Sequence, residues 1–208
     1  MTRPLFHAAI VLLALVAACT PAPVQTPAPE PSVAAPSPAT SAMATAGTTV
    51  VYLVRHAEKA AEPGSDPRLS EAGKARAQAL ATTLADSGVQ LILVTPYRRT
   101  RDTAEPLADK RLISLTSVNT EGGTPVHVAG VAGVVKENLG KRILVVGHSN
   151  TIMGIIAALG GPKLPDLCDG QYAGLHTLTI PASGTPVLRV SSYGAPDPAS
   201  APNCSAMK

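Results

Sequence analysis

The chain has 208 residues, of which 45% are hydrophobic and 15% charged, and its formal net charge is +3. This length suggests one domain of ordinary size together with segments outside it. The small charge argues against a nucleic-acid-binding protein, as does the absence of a basic run with interleaved aromatic residues. Base stacking is also disfavoured, because the chain has no Trp and only four Tyr.

The first 19 residues have the features of an export signal. An apolar run over residues 5–18 follows Arg3 and is interrupted only by His7. It is too short to span a bilayer, but it suits the core of a signal peptide with a basic flank. Its ending, L-V-A-A-C up to Cys19, resembles the lipobox of bacterial lipoproteins. The resemblance implies a signal peptide over 1–18, a lipid on Cys19 and a domain anchored to an envelope membrane outside the cytoplasm; the alternative is an ordinary cleavable signal that contains a cysteine.

The next segment has the composition of a linker. Residues 20–46 are dominated by Pro, Ala, Ser and Thr, and Glu30 is their only charged residue. Such a stretch buries too little apolar surface to offset the entropy lost on ordering. We therefore predict an extended tether over 19–47, a folded domain over 48–195 and a C-terminal tail over 196–208.

Within the domain, short β-branched runs alternate with helical patterns. Strands are predicted at 50–54, 89–94, 112–118, 143–146, 175–180 and 187–192, and helices from Ser70 to about residue 86, at 97–109, at 126–139 and at 150–159. Pro106 should kink or restart the second helix. Gly130 and Gly133 weaken the third. The alternation predicts an α/β fold, a three-layer sandwich with a mostly parallel central sheet.

Polar clusters follow three of these strands. They are R-H-A-E at 55–58, T-P-Y-R-R at 95–99 and G-H-S-N at 147–150. In parallel sheets, ligands bind outside the carboxyl ends of the strands, so the clusters should meet at one edge. Arginines bind oxyanions there, and an imidazole can act as a nucleophile. The pattern therefore favours a site for a phosphoryl group.

These clusters resemble the motifs of the histidine phosphatase superfamily, also called phosphoglycerate mutase-like. R-H-A-E at 55–58 is similar to its RHG or RHAE motif, and T-P-Y-R-R-T-R-D-T-A at 95–104 is similar to S-P-x-x-R-A-x-x-T-A. G-H-S at 147–149 matches the third motif, and L-S-E-A-G at 69–73 is like L-T-x-x-G. The motifs occur in the family's order, over roughly residues 50–159. The resemblance implies a phosphoglycerate mutase-like fold for this domain.

The resemblance also implies a two-step reaction without a metal or other cofactor. His56 would attack phosphorus and become a phosphohistidine, which water then hydrolyses. Arg55, Arg99 and His148 would hold the phosphoryl oxygens; the second motif places its arginine at Arg99 and not at Arg98. Neighbouring cations would keep His56 in the neutral form that a nucleophile needs.

The proton donor is open at this stage. In the family a carboxylate after the third strand often serves, and Glu121 is the matching candidate by position. Glu58, two residues after the nucleophile, is the second candidate. Glu121 could equally be a solvated loop residue, and some compact relatives manage without a dedicated acid when the leaving group is good.

The expected function is hydrolysis of a phosphate monoester or phosphoramidate, with a small phosphorylated molecule, an envelope glycan phosphate or an N-phosphorylated group as the partner. A phosphate-binding lipoprotein without turnover is the alternative from another class. A mutase is disfavoured, because Ala57 replaces the glycine of the mutase motif and only the short segment 114–139 could form a lid. Export would also permit a disulfide between Cys168 and Cys204, although two unpaired thiols remain an alternative.

Overall fold

Six strands form one sheet within residues 47–198, the part of the chain that this computed structural model describes. They are β1 (Thr49–Arg55), β2 (Leu91–Val94), β3 (Leu115–Ser117), β4 (Arg142–Gly147), β5 (Gly174–Ile180) and β6 (Val187–Ser192). Their order is β3-β2-β4-β1-β5-β6, and β1 to β4 pair in parallel. Only β5 runs against the others, because it is antiparallel to both β1 and β6. The predicted α/β fold with a mostly parallel sheet is confirmed.

Four helices cover the two faces of the sheet. They are α1 (Glu71–Thr83), α2 (Arg98–Arg111), α3 (Gly123–Glu137) and α4 (Ile152–Ala158). Val135 and Ile155, from α3 and α4, belong to one hydrophobic core, while Leu80 and Leu107, from α1 and α2, belong to the other. These two cores, one on each face, make the three layers that the sequence predicts. No helix among the described residues has the length and apolar character needed to cross a membrane.

Helix α1 begins where the sequence predicts. The Ser70 side chain accepts a hydrogen bond of 3.1 Å from the Gly73 N–H, which satisfies one of the free donors of the first turn. Gly73, Ala77 and Leu80 are buried on one face, and Leu84 continues that face just past the end. This spacing of apolar residues therefore fixes which side of α1 contacts the sheet.

Several features of the elements differ from those predicted. Helix α2 does not restart at Pro106 but runs through it, because Thr103 and Leu107 on either side are fully buried and hold both halves against the core. Strand β3 starts only at Leu115, since Leu112 ends α2 in the left-handed region with φ of 54°. Helix α3 starts at Gly123, three residues earlier than predicted. The earlier start brings the first turn of α3 to the sheet edge described next.

Candidate active site

The three polar clusters meet at one edge of the sheet, as the sequence predicts. In the β1–β4 pairing Arg55 lies opposite Gly147, and the N–H of His56 donates to the Gly147 carbonyl at 2.9 Å. Strand β2 lies on the other side of β4, with Leu93 opposite Val145, so its end lies beside the same point. The register of the parallel strands therefore brings the three clusters together.

A cavity of about 480 Å³ opens at this edge. The four residues predicted to hold and attack the phosphoryl group, Arg55, His56, Arg99 and His148, all line it. The rest of its lining is Lys59, Tyr97, Thr120, Gly123, Thr124, His127, Ser149, Asn150 and Thr151. Its charged side chains are all cationic, which suits an anionic guest.

The backbone selects the tautomer of His56. Its Nδ1 lies 2.8 Å from the carbonyl oxygen of Ala57. A carbonyl can only accept, so Nδ1 carries the hydrogen and Nε2 keeps its lone pair. Burial lowers the pKa of His56 to about 3. The Ala57 hydrogen bond opposes this shift, and the cations of Arg55 and Arg99 add smaller lowering effects. At neutral pH, His56 is an uncharged imidazole with a free Nε2.

His148 lies beside the nucleophile. Its ring meets that of His56 edge-on with centroids 5.3 Å apart, and its Nε2 lies 3.2 Å from the Thr95 hydroxyl. Thr95 is held in turn by Thr100, whose hydroxyl lies 2.8 Å away. Burial lowers the pKa of His148 to about 3, helped by His56 and the nearby arginines. His148 is therefore a neutral group with a fixed ring position.

Arg55 is buried and held from one side by the segment 168–172. Its Nη1 donates to the carbonyl of Cys168 at 2.9 Å, and its Nη2 forms an ion pair of 3.2 Å with Asp169. The guanidinium carbon also lies 4.2 Å from the centre of the Tyr172 ring. Nε is a buried donor without a hydrogen-bond partner in the described part of the chain. The contacts of Nη1 and Nη2 fix the guanidinium of Arg55 at the cavity.

The two adjacent arginines of the second motif have different surroundings. Arg99 lines the cavity, forms an ion pair of 3.5 Å with Asp66 and lies 4.2 Å from the centre of the Tyr97 ring. Arg98 instead lines a second cavity, between α1 and α2. Asp66 also accepts from the backbone N–H of Arg98 at 2.9 Å, so one carboxylate fixes both the start of α2 and the Arg99 side chain. The geometry agrees with the choice of Arg99 over Arg98.

Neither predicted proton donor lines the cavity. The Glu58 carboxylate lies 2.8 Å from Arg76, an ion pair that helps keep the pKa of Glu58 below its usual value although burial opposes this. Glu121 is exposed, and its carboxylate accepts from the side-chain amide of Asn119 at 3.1 Å. Residues 120 and 123 do line the cavity, so Glu121 is beside it with its side chain directed elsewhere.

Two glycines permit the close packing behind these motifs. A Cβ on Gly73 would overlap the carbonyl oxygen of Glu58, so this glycine lets α1 approach the loop that carries His56. A Cβ on Gly147 would lie 2.8 Å from the Thr151 hydroxyl, which itself accepts from the His148 N–H at 2.9 Å. The glycines of the L-S-E-A-G and G-H-S motifs are therefore required by packing.

The sequence reading missed His127. It follows the start of α3 by one turn and heads a buried stripe with Val131 and Val135, four and eight residues later. That spacing directs it toward the sheet, and it was the signal available in the sequence. In residues 47–198 no group of three or more His, Cys, Asp or Glu side chains is placed to hold a metal ion.

Several predicted residues fall outside the part of the chain that the structure describes. Cys19, the predicted signal peptide and the predicted tether lie before the described residues, except for residue 47 at the end of the tether. Cys168 is buried beside Arg55, but Cys204 follows residue 198. The lipid anchor and the Cys168–Cys204 disulfide therefore remain predictions.

Comparison with known proteins gives a consistent result. The family model described as "Histidine phosphatase superfamily (branch 1)" matches residues 51–120, which include Arg55, His56 and Arg99 and end before His148. No curated protein matches the chain by sequence.

Solved structures share the fold at low sequence identity. The protein histidine phosphatase SixA, solved with tungstate, is 20% identical with a TM-score of 0.55, over 69% of this chain and 96% of its own. YhfR from Bacillus stearothermophilus is 18% identical with a TM-score of 0.54, over the same shares. A mycobacterial glucosyl-3-phosphoglycerate phosphatase is 18% identical with a TM-score of 0.51, over 72% of this chain and 100% of its own. The family match over residues 51–120 and the shared fold make this chain similar to the phosphatases of the histidine phosphatase superfamily.

Proposed function

We propose that this protein hydrolyses phosphate monoesters or phosphoramidates through a phosphohistidine on His56. The observation that carries the proposal is the state of that imidazole. Its Nδ1 hydrogen is bound by Ala57, and its Nε2 lone pair is free at the edge of a cationic cavity. A neutral, oriented imidazole beside two guanidinium groups suits nucleophilic attack on a phosphorylated anion.

In the first step, Nε2 of His56 attacks phosphorus as the bond to the leaving oxygen or nitrogen breaks. Arg55 and Arg99 neutralise the charge on the phosphoryl oxygens, and His148 can donate a hydrogen bond to one of them. Nδ1–H keeps its bond to Ala57, which stabilises the positive charge on the phosphorylated ring. In the second step, water attacks phosphorus, the P–N bond breaks and its electron pair returns to Nε2.

The proposed location is outside the cytoplasm, with the domain tethered to an envelope membrane by a lipid on Cys19. This rests on the signal-like run over 5–18, the ending at Cys19 and the linker composition of 20–46. A phosphorylated small molecule or envelope glycan would then be the substrate. Mass spectrometry of the membrane fraction should find a lipid on Cys19 that is absent from Cys19→Ser. An unmodified Cys19 in mature membrane-bound protein would contradict the anchor.

The enzymatic proposal is tested with the full chain, 4-nitrophenyl phosphate and the His56→Ala variant. Wild type should release phosphate, and the variant should lose at least about 10⁴-fold in kcat, since it lacks the imidazole whose free Nε2 forms the proposed intermediate. His176→Gln is the control, because His176 is equally buried in the same sheet but does not line the cavity. Equal activity in wild type and His56→Ala would overturn the proposal. Phosphate binding without turnover would favour a binding lipoprotein instead.

A further inference from the structure

The cavity contains a third imidazole that the mechanism above does not use. His127 is only 3% exposed, yet it lines the same cavity as His56 and His148. It belongs to the first turn and a half of α3, whereas the other two follow strand ends. It is also one of the influences that lower the pKa of His148, after burial, His56 and Arg99.

Hydrogen bonding leaves one nitrogen of His127 for the cavity. Nδ1 lies 2.9 Å from the carbonyl oxygen of Asn119, which can only accept, so Nδ1 carries a hydrogen. Nε2 makes no hydrogen bond to any described residue and is not sealed from solvent. The ring is therefore fixed by the loop before α3, and Nε2 can donate when protonated or accept when neutral.

A leaving alkoxide needs a proton, and the cavity lining within residues 47–198 contains no carboxylate to supply it. Lys59 and Tyr97 also line the cavity, but the Tyr97 ring is packed between Arg99 and His148. Lys59 is exposed, and an alkylammonium is a weaker acid than an imidazolium, so it gives up its proton less readily near neutral pH. An imidazole can both donate a proton and accept one near neutral pH. The cations Arg55, Lys59 and Arg99 face the same space, and an anionic substrate offsets their charge.

We propose that His127 is the general acid and base of the reaction, a role that rests on the proposed phosphatase function. As Nε2 of His56 bonds to phosphorus and the P–O bond breaks, the leaving oxygen takes the proton from Nε2 of His127. The neutral His127 then takes a proton from the water that attacks the phosphohistidine. The P–N bond breaks, phosphate forms, and His127 is again protonated.

The test compares two substrates whose leaving groups differ in their need for a proton. The leaving group of 4-nitrophenyl phosphate departs as a stable anion, whereas that of benzyl phosphate must be protonated. In the full chain, His127→Asn should lower kcat/KM for benzyl phosphate by about 10²-fold or more. For 4-nitrophenyl phosphate, kcat/KM should change far less, because it reports the phosphorylation step. The slowed second step should then produce a burst of nitrophenol.

The matched control is Val126→Asn, one residue earlier on α3, where the side chain is 57% exposed and does not line the cavity. It should leave both substrates unchanged. His127→Gln is the second variant if His127→Asn folds poorly, because its amide can still donate to Asn119. An equal fall for both substrates, no fall for either, or a wild type that hydrolyses only the aryl ester would overturn the role of His127. Activity that survives in His56→Ala would instead refute the phosphohistidine mechanism.

Discussion

The cavity has two walls, and they differ in how the fold determines them. The strand-end wall, Arg55, His56, Arg99 and His148, is placed by the register of three parallel strands and the start of α2. The helical wall, Thr120, Gly123, Thr124 and His127, is formed by a loop and the first turns of α3. In the proposed mechanism, the strand-end wall binds and attacks the phosphoryl group, while the helical wall carries the histidine that protonates the leaving group. Phosphoryl binding and leaving-group protonation can therefore be altered separately.

The largest expected effect is on the strand-end wall. Arg99→Ala removes a cation that lines the cavity and should lower kcat/KM for every substrate by about 10²- to 10³-fold. Arg98→Ala is the matched control, because the adjacent arginine lines the second cavity and should leave kcat/KM unchanged. Steady-state kinetics with the two substrates named above measure both. Equal losses in the two variants would show that the residues of the second motif are assigned incorrectly.

The ion pair between Arg76 and Glu58, behind this wall, should contribute to the free energy of unfolding. Arg76 holds Glu58 and also donates to the carbonyls of Tyr193 and Ala195, with its own side chain 4% exposed. Arg76→Met leaves Glu58 unpaired and should lower the free energy of unfolding by about 3 to 5 kcal/mol. Denaturant unfolding measures this change.

Lys74→Met is the control on the same helix. Lys74 forms an exposed ion pair with Glu71, its side chain being 61% exposed, and such pairs contribute at most about 1 kcal/mol. If Arg76→Met destabilised the protein no more than Lys74→Met, Glu58 would not be anchored by Arg76. Glu58 would then again be a candidate for the proton donor.

The two histidines of the strand-end wall should stay neutral in mild acid. Their pKa values, lowered to about 3 chiefly by burial, are well below the ordinary value near 6.5. NMR of the imidazole nitrogens should show both uncharged from pH 7 to about pH 4.5. The unfolded chain binds protons from about pH 6.5 downward while the folded one does not, so stability should fall over this range. A titration midpoint near 6.5 for His56 would show that burial does not lower its pKa.

The smallest effect is expected beside the helical wall. Glu121→Gln should leave kcat/KM unchanged for both benzyl and 4-nitrophenyl phosphate, because the carboxylate is exposed and bonded to Asn119. A selective loss on benzyl phosphate, as large as that expected for His127→Asn, would return the role of acid to Glu121.

The strand-end wall could be predicted from the sequence because two simple rules determine it. Buried β-branched runs such as 50–54 and 143–146 predict central parallel strands, and parallel strands end at the same edge. The motif order then distinguished Arg99 from Arg98. Nothing beyond strand register was needed to bring Arg55 and His148 to one cavity.

The helical wall could not be predicted in the same way. Its geometry depends on where α3 begins, and Gly122 and Gly123 with positive φ allow a start that helix propensity places later. With α3 starting at Gly123, Glu121 lies in the loop before the helix and does not line the cavity, whereas His127 does. Likewise, the partner that removes Glu58 from consideration, Arg76, is 18 residues away along the chain and meets it only through tertiary packing.

The most direct test of the account is to trap the phosphorylated protein during turnover. The full chain would be mixed with 4-nitrophenyl phosphate, quenched in alkali and mapped by peptide mass spectrometry. We expect one phosphoryl group on the peptide that contains His56, stable in base, labile in acid and accumulating further in His127→Asn. A protein that turns over the substrate with no label on His56, or with the label on another residue, would contradict it.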